Sequence, residues 1–452
     1  DWSSLERFQR TRGVLRLMAS VIHALWERND GSLLIMPATI PIDEPEVQKE
    51  LTRYLEDNWV PVLERDVDGP ASLPLTLDRG NPNFGRYSAC RRVARAIYMG
   101  SAPTYKANNR GIDDRGVKLG CVQPGETVAT FGDALRRLTD QATHLYVDRS
   151  RYWFSTQPSV TRLAQDRAAQ VDKYDAWEEL KRRLRSDRSR GDFAAVHVAP
   201  AGHGDVPDET EARLVVLGPE SPHMRRSLVS SARQQAELYL RQRGSSPRLY
   251  RNMLVFLAPD QARLDELEEA IAQYLAWKSI FEERKPLNLD PFQTGQAESK
   301  LAAADETVDA RIRETYTHLL TPYQSDPHEP DTLMLEEHRI QGNDALAVLA
   351  SRRLVANEGL FTVFGGVRLK MELDKLKLMD NRPHIGLKQL WEYFARYPYM
   401  PRLRDVQVFI SAVQDGVTQT TWSETFAYAA AVDEAEGRYR GLSLPRRIDH
   451  RP

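Results

Sequence analysis

The sequence predicts a multidomain protein of mixed α+β and α/β class, and three observations support this class. The chain has 452 residues, which corresponds to about three domains at roughly 100–200 residues each. Its first 190 residues combine helical apolar spacing with short strand patterns. From Phe193 onwards, near-continuous apolar runs alternate with helical patterns, which is typical of a parallel sheet covered by helices.

Residues 1–120 are predicted to be mainly helical. Apolar residues recur at three- and four-residue spacing from Phe8 to Trp26, and a second helix is expected from Tyr87 to Met99. Three arginines are expected on the solvent side of this second helix: Arg91, Arg92 and Arg95. The chain opens inside a helical pattern with no strand before it, so we expect it to be part of a longer polypeptide.

Residues 121–190 are predicted to contain a winged helix-turn-helix. A helical pattern over 131–142 precedes two short strands, 145–147 and 152–154, which flank the turn Asp148-Arg149-Ser150. A helix followed by a β-ribbon with a basic tip is the end of a winged helix. Such modules serve protein contacts as well as DNA contacts, and the fold alone does not choose between them.

Residues 191–290 are predicted to form an α/β domain with a mostly parallel sheet in three layers. Its expected strands are 193–198, 213–217 and 253–257, and its expected helices are 228–243 and 262–283. Such alternation of buried strands with helices produces parallel crossovers.

Residues 291–452 are predicted to be largely helical. A long polar helix is expected from Gln296 to Leu320, followed by a Pro-rich linker from Tyr323 to Pro330. A second winged-helix-like unit is expected to close the chain, with strands near Phe426 and Tyr439.

Composition excludes several classes of protein. The formal net charge is −2, but the segment from Arg79 to Lys118 holds nine basic and two acidic residues, which suits contact with a polyanion or a nucleotide phosphate. No stretch approaches the roughly 18 consecutive apolar residues of a spanning helix, so no membrane association is expected. Cys90 and Cys121 are too few for a disulfide framework. The cytoplasm is the predicted compartment.

No catalytic site can be recognised from motifs. The chain has no Walker A loop, G-x-G-x-x-G, H-E-x-x-H or G-x-S-x-G. Asp260 follows an apolar strand as a Walker B acid would, but without a phosphate loop it is expected to cap the helix that begins at Gln261. His197 and His203, with Asp205 and Asp208 nearby, match no metal motif, so no metal site is predicted there.

The segment Phe8-Gln9-Arg10-Thr11-Arg12-Gly13-Val14-Leu15-Arg16-Leu17-Met18-Ala19 resembles the lid region of large bacterial AAA-type ATPases of the PglY/BrxC kind, which are encoded in phage-defence islands. Further stretches resemble the same family, namely 119–126, 150–155, 206–209 and 250–257. The resemblance covers most of residues 5–290 and weakens beyond Pro291.

The resemblance implies that residues 1–120 include an AAA-type lid, in which Arg16 is the sensor-two residue that approaches the γ-phosphate. Arg10 or Arg12 would then also contact phosphate, because a guanidinium is permanently charged and bonds two oxygens at once. The family's Walker motifs lie before the lid and are absent here. ATP and Mg would therefore bind only with the missing N-terminal module, and this chain alone should not hydrolyse ATP.

The family also implies a cytoplasmic defence complex that acts on DNA together with a methyltransferase, and the rings of AAA-type modules imply a homo-oligomer by analogy. DNA contacts are expected from Arg149, Arg151, Arg91, Arg92 and Arg95. The alternative is a stand-alone, non-enzymatic winged-helix protein that binds DNA or serves as a scaffold. A nuclease-like or degenerate nucleotide-binding role for the α/β domain ranks last, because its strands lack clustered acids.

Overall fold

The computed structural model describes residues 11–53, 55, 58–101, 111–148, 150–156, 159–327, 333–380, 383–418, 422, 427–433 and 438–442. Helices and strands are mixed in this part of the chain, as the sequence predicts. The chain divides into two compact units, the first Asp1–Gln170 with Ile280–Ala297 and the second Val171–Ser279 with Glu298–Pro452.

Nine helices lie in the described part of the first unit before residue 170. They are α1 Thr11–Glu27, α2 Pro45–Thr52, α3 Trp59–Val62, α4 Leu73–Gly80, α5 Pro82–Gly85, α6 Ala89–Ser101, α7 Asp114–Cys121, α8 Val128–Gln141 and α9 Val160–Ala168. The helices predicted at Phe8–Trp26 and Tyr87–Met99 are confirmed as α1 and α6, within the described residues. Ser159 accepts a hydrogen bond from the Arg162 amide and so caps α9.

The core of the first unit is built around α6. Its residues Val93, Ala94 and Ile97 are buried, and the helix packs against α4, α7 and α8. A small antiparallel sheet lies beside this core, with strands β1 Ile112–Asp113, β2 Leu145–Asp148 and β3 Arg151–Phe154 in the order β1-β3-β2. The chain therefore runs helix, strand, two helices and a β-hairpin from α6 to β3.

A five-stranded sheet forms the centre of the second unit. Its strands are β4 Ala195–Val198, β5 Arg213–Val216, β8 Leu254–Pro259, β9 Tyr316–Gln324 and β10 Leu333–Arg339, in the order β10-β9-β8-β5-β4. The predicted parallel pairing of the first three strands is confirmed, whereas β9 and β10 add to the sheet in the antiparallel sense. A two-residue hairpin, β6 Gln242–Arg243 and β7 Ser246–Pro247, lies outside this sheet.

Helices cover both faces of this sheet, which gives the three layers that the sequence predicts. They are α10 Lys173–Ser186, α11 Ser231–Arg241, α12 Gln261–Glu282, α13 Pro291–Thr315 and α14 Leu346–Ala356. Leu214, Val255 and Leu257 face α10, α12, α13 and α14. The alternate residues Val215 and Phe256 face α11, as the two-residue period of a strand requires.

The prediction for residues 316–324 is wrong. The polar helix was expected to reach Leu320, but α13 ends at Thr315 and the buried strand β9 begins at the next residue. Leu319 continues the helical spacing of Val308 and Ile312, so the apolar period alone does not mark the change. Pairing with β8 and β10 decides it, since tertiary context outweighs local propensity.

The C-terminal part of the second unit has its own apolar cluster, which includes Trp391, Phe394 and Phe409. Its elements are α15 Gly366–Lys375, α16 Leu387–Arg396, α17 Val406–Thr418, β11 Ala431–Asp433 and β12 Arg438–Arg440. Tyr439 lies in a strand as predicted, and Phe426 lies outside the described residues. Within the described ranges, no helix has both the length and the apolar character needed to cross a bilayer.

Candidate functional site

The arginines expected to meet phosphate lie at the start of α1. Arg16 is 43% exposed and forms an ion pair with Glu50 of α2. Arg53 contributes a second, longer ion pair to the same carboxylate, at 3.6 Å. Arg12 is exposed on α1, and Arg10 lies outside the described residues. Arg16 therefore has a protein partner on the surface of the first unit.

The expectation that Arg91, Arg92 and Arg95 face solvent is wrong. Arg92 and Arg95 are only 8% and 9% exposed, and all three are ion-paired. The sequence pattern could not reveal this, because the partner carboxylates come from segments 23 to 52 residues away. Buried and paired in this way, these side chains lack the exposure that contacts to DNA phosphates require.

Asp43 and Asp68 are the partners of Arg91 and Arg95, and we call these four residues the arginine cluster. Arg91 Nη2 lies 2.7 Å from Asp68 Oδ1, and Arg95 Nη2 lies 2.6 Å from Asp68 Oδ2 and 3.0 Å from Asp43 Oδ1. Burial raises the pKa of Asp68, and the two guanidinium groups only partly offset it. Burial likewise lowers the pKa of Arg95. The charges compensate one another inside the first unit.

Two further observations concern the hairpin of β2 and β3. Arg151 donates a hydrogen bond to the Gly111 carbonyl at 2.8 Å, and Arg149 lies outside the described residues. One face of the hairpin is covered, since the Tyr146 and Trp153 rings stack on each other and Gln293 Nε2 donates to the Tyr146 hydroxyl. The opposite face packs on the core of the first unit through Leu145 and Phe154, so contact with another molecule is left to the exposed end of the hairpin.

The loop histidines and aspartates near β4 are engaged separately. His197 Nε2 lies 3.3 Å from Arg213 Nη1, and His203 Nδ1 accepts from the Gly244 amide. Asp205 accepts from the Gly202 amide, and Asp208 accepts from two consecutive backbone amides of the loop before β8. His197 therefore links β4 to β5, and the other three groups stabilise turns.

A different set of residues converges in the second unit: His223, His318 and Glu337. Among the described residues, this trio brings three potential ligand atoms within 4.8 Å of one another. His318 Nδ1 lies 2.9 Å from Glu337 Oε1, and His223 Nε2 lies 3.3 Å from Glu337 Oε2. Both imidazoles are completely buried, and their rings meet edge to face at 4.9 Å between centroids. We call these three residues the histidine cluster.

Backbone pairing at the end of β8 fixes the histidine cluster in place. His223 lies in the loop after β5 and forms a parallel bridge with Asp260, the residue after β8. Its amide donates to the Pro259 carbonyl, and its carbonyl accepts from the Gln261 amide. Sites in open α/β sheets form at these carboxyl ends of parallel strands, so the cluster occupies the edge where a ligand is expected.

The prediction that Asp260 caps a helix is confirmed, and the residue has a second contact. Oδ1 accepts a hydrogen bond from the Ala262 amide at the start of α12. Oδ2 lies 3.4 Å from His318 Nε2. The sequence does not predict the contact between Asp260 and His318, because its helical spacing places His318 in a polar helix. A histidine inside the apolar run of β9 was the available signal.

The two ends of the cluster differ in charge state. Burial lowers the pKa of His223 below its ordinary value, so this imidazole is neutral near pH 7. Burial acts to raise the pKa of Glu337, but the Arg226 amide and the two imidazoles outweigh it, so its pKa lies below the ordinary range. The arrangement therefore offers the neutral His223 imidazole beside an ionised carboxylate, a set that can hold a cation or share a proton.

The fold and these contacts define a mixed α+β protein in which the first unit buries the arginine cluster and the second unit buries the histidine cluster. Comparisons with protein-family models, with curated proteins and with solved structures find no match for the chain.

Proposed function

We propose that this chain is the C-terminal regulatory and partner-binding portion of an AAA-type ATPase of a bacterial anti-phage defence system. One observation carries the proposal: α1 is apolar on two faces. Leu17 and Val21 are buried in the core of the first unit, whereas Leu15, Ile22 and Trp26 are 65%, 54% and 82% exposed. Exposed apolar patches mark surfaces that pack against another protein or domain. The lid helix of an AAA-type ATPase would pack this face against the nucleotide-binding module.

Arg16 lies on the same helix and carries the nucleotide part of the proposal. Its guanidinium would leave Glu50 and bind the γ-phosphate of an ATP held, with Mg, by the preceding module. Glu50 is only 11% exposed and would keep its ion pair with Arg53, while a phosphate offers Arg16 more charge and more acceptor oxygens than this carboxylate does. Arg12 of α1, and Arg10 earlier in the sequence, would add positive charge near the phosphate.

The test is ATP hydrolysis by a polypeptide that carries an ATPase module ahead of α1. We expect Arg16→Ala to lower kcat by about 100-fold, the usual effect of removing one preorganised charge-stabilising group. Arg136→Ala is the matched control, because Arg136 is also exposed and ion-paired, with Asp133 of α8. Equal turnover in wild type and Arg16→Ala would rule out the sensor-two role.

The order of elements from α6 to β3 supports the proposal of a winged helix in the first unit. Helix, strand, two helices and hairpin, with β3 in the middle of the sheet, is the order of such a module. In a winged helix α8 would be the helix presented to a partner. The order of α16, α17, β11 and β12 supports a second such module in the same way.

The charges on α8 favour a protein partner over DNA for this surface. Its solvent face carries Arg136 and Arg137, but Asp133 and Asp140 balance them. Phosphate contacts give strong binding only through a net excess of cations. A subunit of the defence complex, such as its methyltransferase, is therefore the partner we propose here.

DNA binding remains the competing hypothesis and is measured directly with fluorescence anisotropy on duplex DNA. If α8 and the hairpin tip bind DNA, log Kd changes steeply with log salt concentration, and Arg137→Ala lowers the slope by about 1. Absence of binding at low salt supports the protein partner. Tight, salt-dependent binding that is lost in Arg137→Ala would overturn it.

A further inference from the structure

We propose that His223, His318 and Glu337 bind a divalent transition-metal ion of the Zn²⁺ class. Two imidazoles and one carboxylate form a ligand set that suits borderline ions such as Zn²⁺. The three residues come from the loop after β5, from β9 and from β10, so an ion would join three segments that are distant in sequence. Nothing in the proposed ATPase role requires this site.

The distances between the ligand atoms fit a metal centre. Nitrogen and oxygen ligands lie about 2.0–2.1 Å from Zn²⁺, so two ligands of a tetrahedral ion are roughly 3.3 Å apart. His223 Nε2 and Glu337 Oε2 are separated by 3.3 Å. Glu337 directs its other oxygen to His318, at 2.9 Å. One carboxylate thus reaches both imidazoles.

An unsatisfied nitrogen supports the assignment. His223 Nε2 is completely buried and makes no hydrogen bond, although Glu337 is close. Buried polar atoms in native proteins almost always have a partner, and an exception calls for a missing ion or water. A metal ion between His223 and Glu337 supplies that partner through the nitrogen lone pair.

The groups behind the ligands are those that metal-binding histidines use. A ligating imidazole normally has its second nitrogen held by an oxygen. His223 Nδ1 is hydrogen-bonded to Ser230 Oγ at 2.8 Å, and His318 Nε2 lies 3.4 Å from Asp260 Oδ2. Ser230 and Asp260 are fixed in turn, because they cap the N-termini of α11 and α12.

The Glu337 carboxylate is also held in place by a hydrogen bond. The Arg226 amide donates to Glu337 Oε2 at 3.0 Å, and Arg226 has a φ of 59°. A non-glycine residue in this left-handed region is strained, and such strain concentrates at functional sites.

The experiment uses the whole 452-residue chain. The protein is treated with a chelator, dialysed and titrated with Zn²⁺ against a chromophoric competitor. We expect one ion per chain, and no tight binding by His223→Ala or His318→Ala. Asp260→Asn should weaken binding about 10–100-fold, because it removes the charge behind His318 while an asparagine still caps α12. His203→Ala is the control and should bind as wild type does.

Two measurements keep the test decisive if a histidine variant does not fold. Glu337→Gln has the same shape as wild type, lacks the charge and should lose the ion, with circular dichroism reporting its fold. Co²⁺ bound to the wild-type chain should give the visible ligand-field bands of a low-symmetry nitrogen–oxygen site. Unchanged Zn²⁺ affinity in Glu337→Gln, or wild-type protein without those Co²⁺ bands, overturns the proposal.

Discussion

Both units bury ionisable side chains, but the arginine cluster of the first unit and the histidine cluster of the second differ in how completely the groups are paired. Each oxygen of Asp68 meets a guanidinium, one from Arg91 and one from Arg95. In the histidine cluster, His223 Nε2 is buried without a hydrogen bond, 3.3 Å from Glu337 Oε2. A network in which every buried group is paired needs only a structural role, whereas a buried polar atom without a partner points to a missing ligand.

The difference in pairing is informative because burial alone shifts pKa values in both clusters. Burial shifts pKa values in each cluster, upward for Asp68 and downward for His223. Perturbed pKa values occur in structural ion networks as well as in functional sites. A buried polar atom without a hydrogen bond distinguishes a functional site from a structural ion network.

The largest effect is expected from opening the arginine cluster. Asp68→Ala leaves Arg91 and Arg95 with Asp43 as their remaining partner, and breaking a buried ion pair in this way costs about 3–5 kcal/mol. Thermal unfolding measures the loss, and hydrogen exchange of the α6 amides locates it in the first unit.

The matched control is Asp133→Ala, which breaks an ion pair on the surface of α8. We expect a change within about 0.5 kcal/mol, because solvent replaces the exposed carboxylate. Equal effects of the two variants would contradict the view that Asp68 neutralises buried charge.

The strands and helices around the parallel sheet were predictable, because their signals are local. The apolar runs at β4, β5 and β8 are nearly continuous, and turn residues separate them from α11 and α12. The change from α13 to β9 was not predictable, since Leu319 keeps the helical spacing while β9 gains its partners from distant strands.

The candidate sites were harder to predict than the fold for the same reason. Arg91 and Arg95 lie four residues apart on one side of a helix, and such a charged side is normally exposed to solvent. Only the structure shows that Asp68 and Asp43 pair with these arginines. The histidine cluster joins residues separated by 95 and 19 positions, and no motif has such spacing. Pairing between distant segments is decided by tertiary structure, which a single sequence does not display.

The second prediction concerns metal removal and follows from the proposed site. An ion that binds only the folded state stabilises it by about 2.7 kcal/mol at a free concentration 100 times its Kd. We therefore expect a chelator to lower the Tm of the second unit and to leave the first unit unchanged. Hydrogen exchange in β9 and α6 separates the two responses, and equal deprotection in both would contradict this comparison.

The third prediction is that the metal-free second unit loses stability as the pH falls below about neutrality. Burial lowers the pKa values of His197, His223 and His338 below their ordinary 6.5. The unfolded chain therefore takes up these protons first as the pH falls through 6.5, which favours unfolding. Each group contributes at most about 1.4 kcal/mol per pH unit between that point and its folded pKa.

Tm values measured from pH 7.5 down to pH 5.5 test this sign. His223→Gln should flatten the profile, because glutamine does not titrate. A second unit that gains stability over this range would show that its histidines are protonated in the folded state.

The smallest effect is expected for Arg16, and its size bears on the proposed function. Arg16 is 43% exposed and Glu50 only 11% exposed, but Arg53 also pairs with Glu50, so the carboxylate keeps a partner without Arg16 and we expect a coupling of about 1 kcal/mol or less. A double-mutant cycle of Arg16→Ala and Glu50→Ala, followed by thermal unfolding, measures this coupling. A weak coupling leaves the guanidinium able to exchange Glu50 for a phosphate at little cost. A coupling above about 2 kcal/mol would fix Arg16 as a structural residue like Arg95 and would remove it from the proposed nucleotide contact.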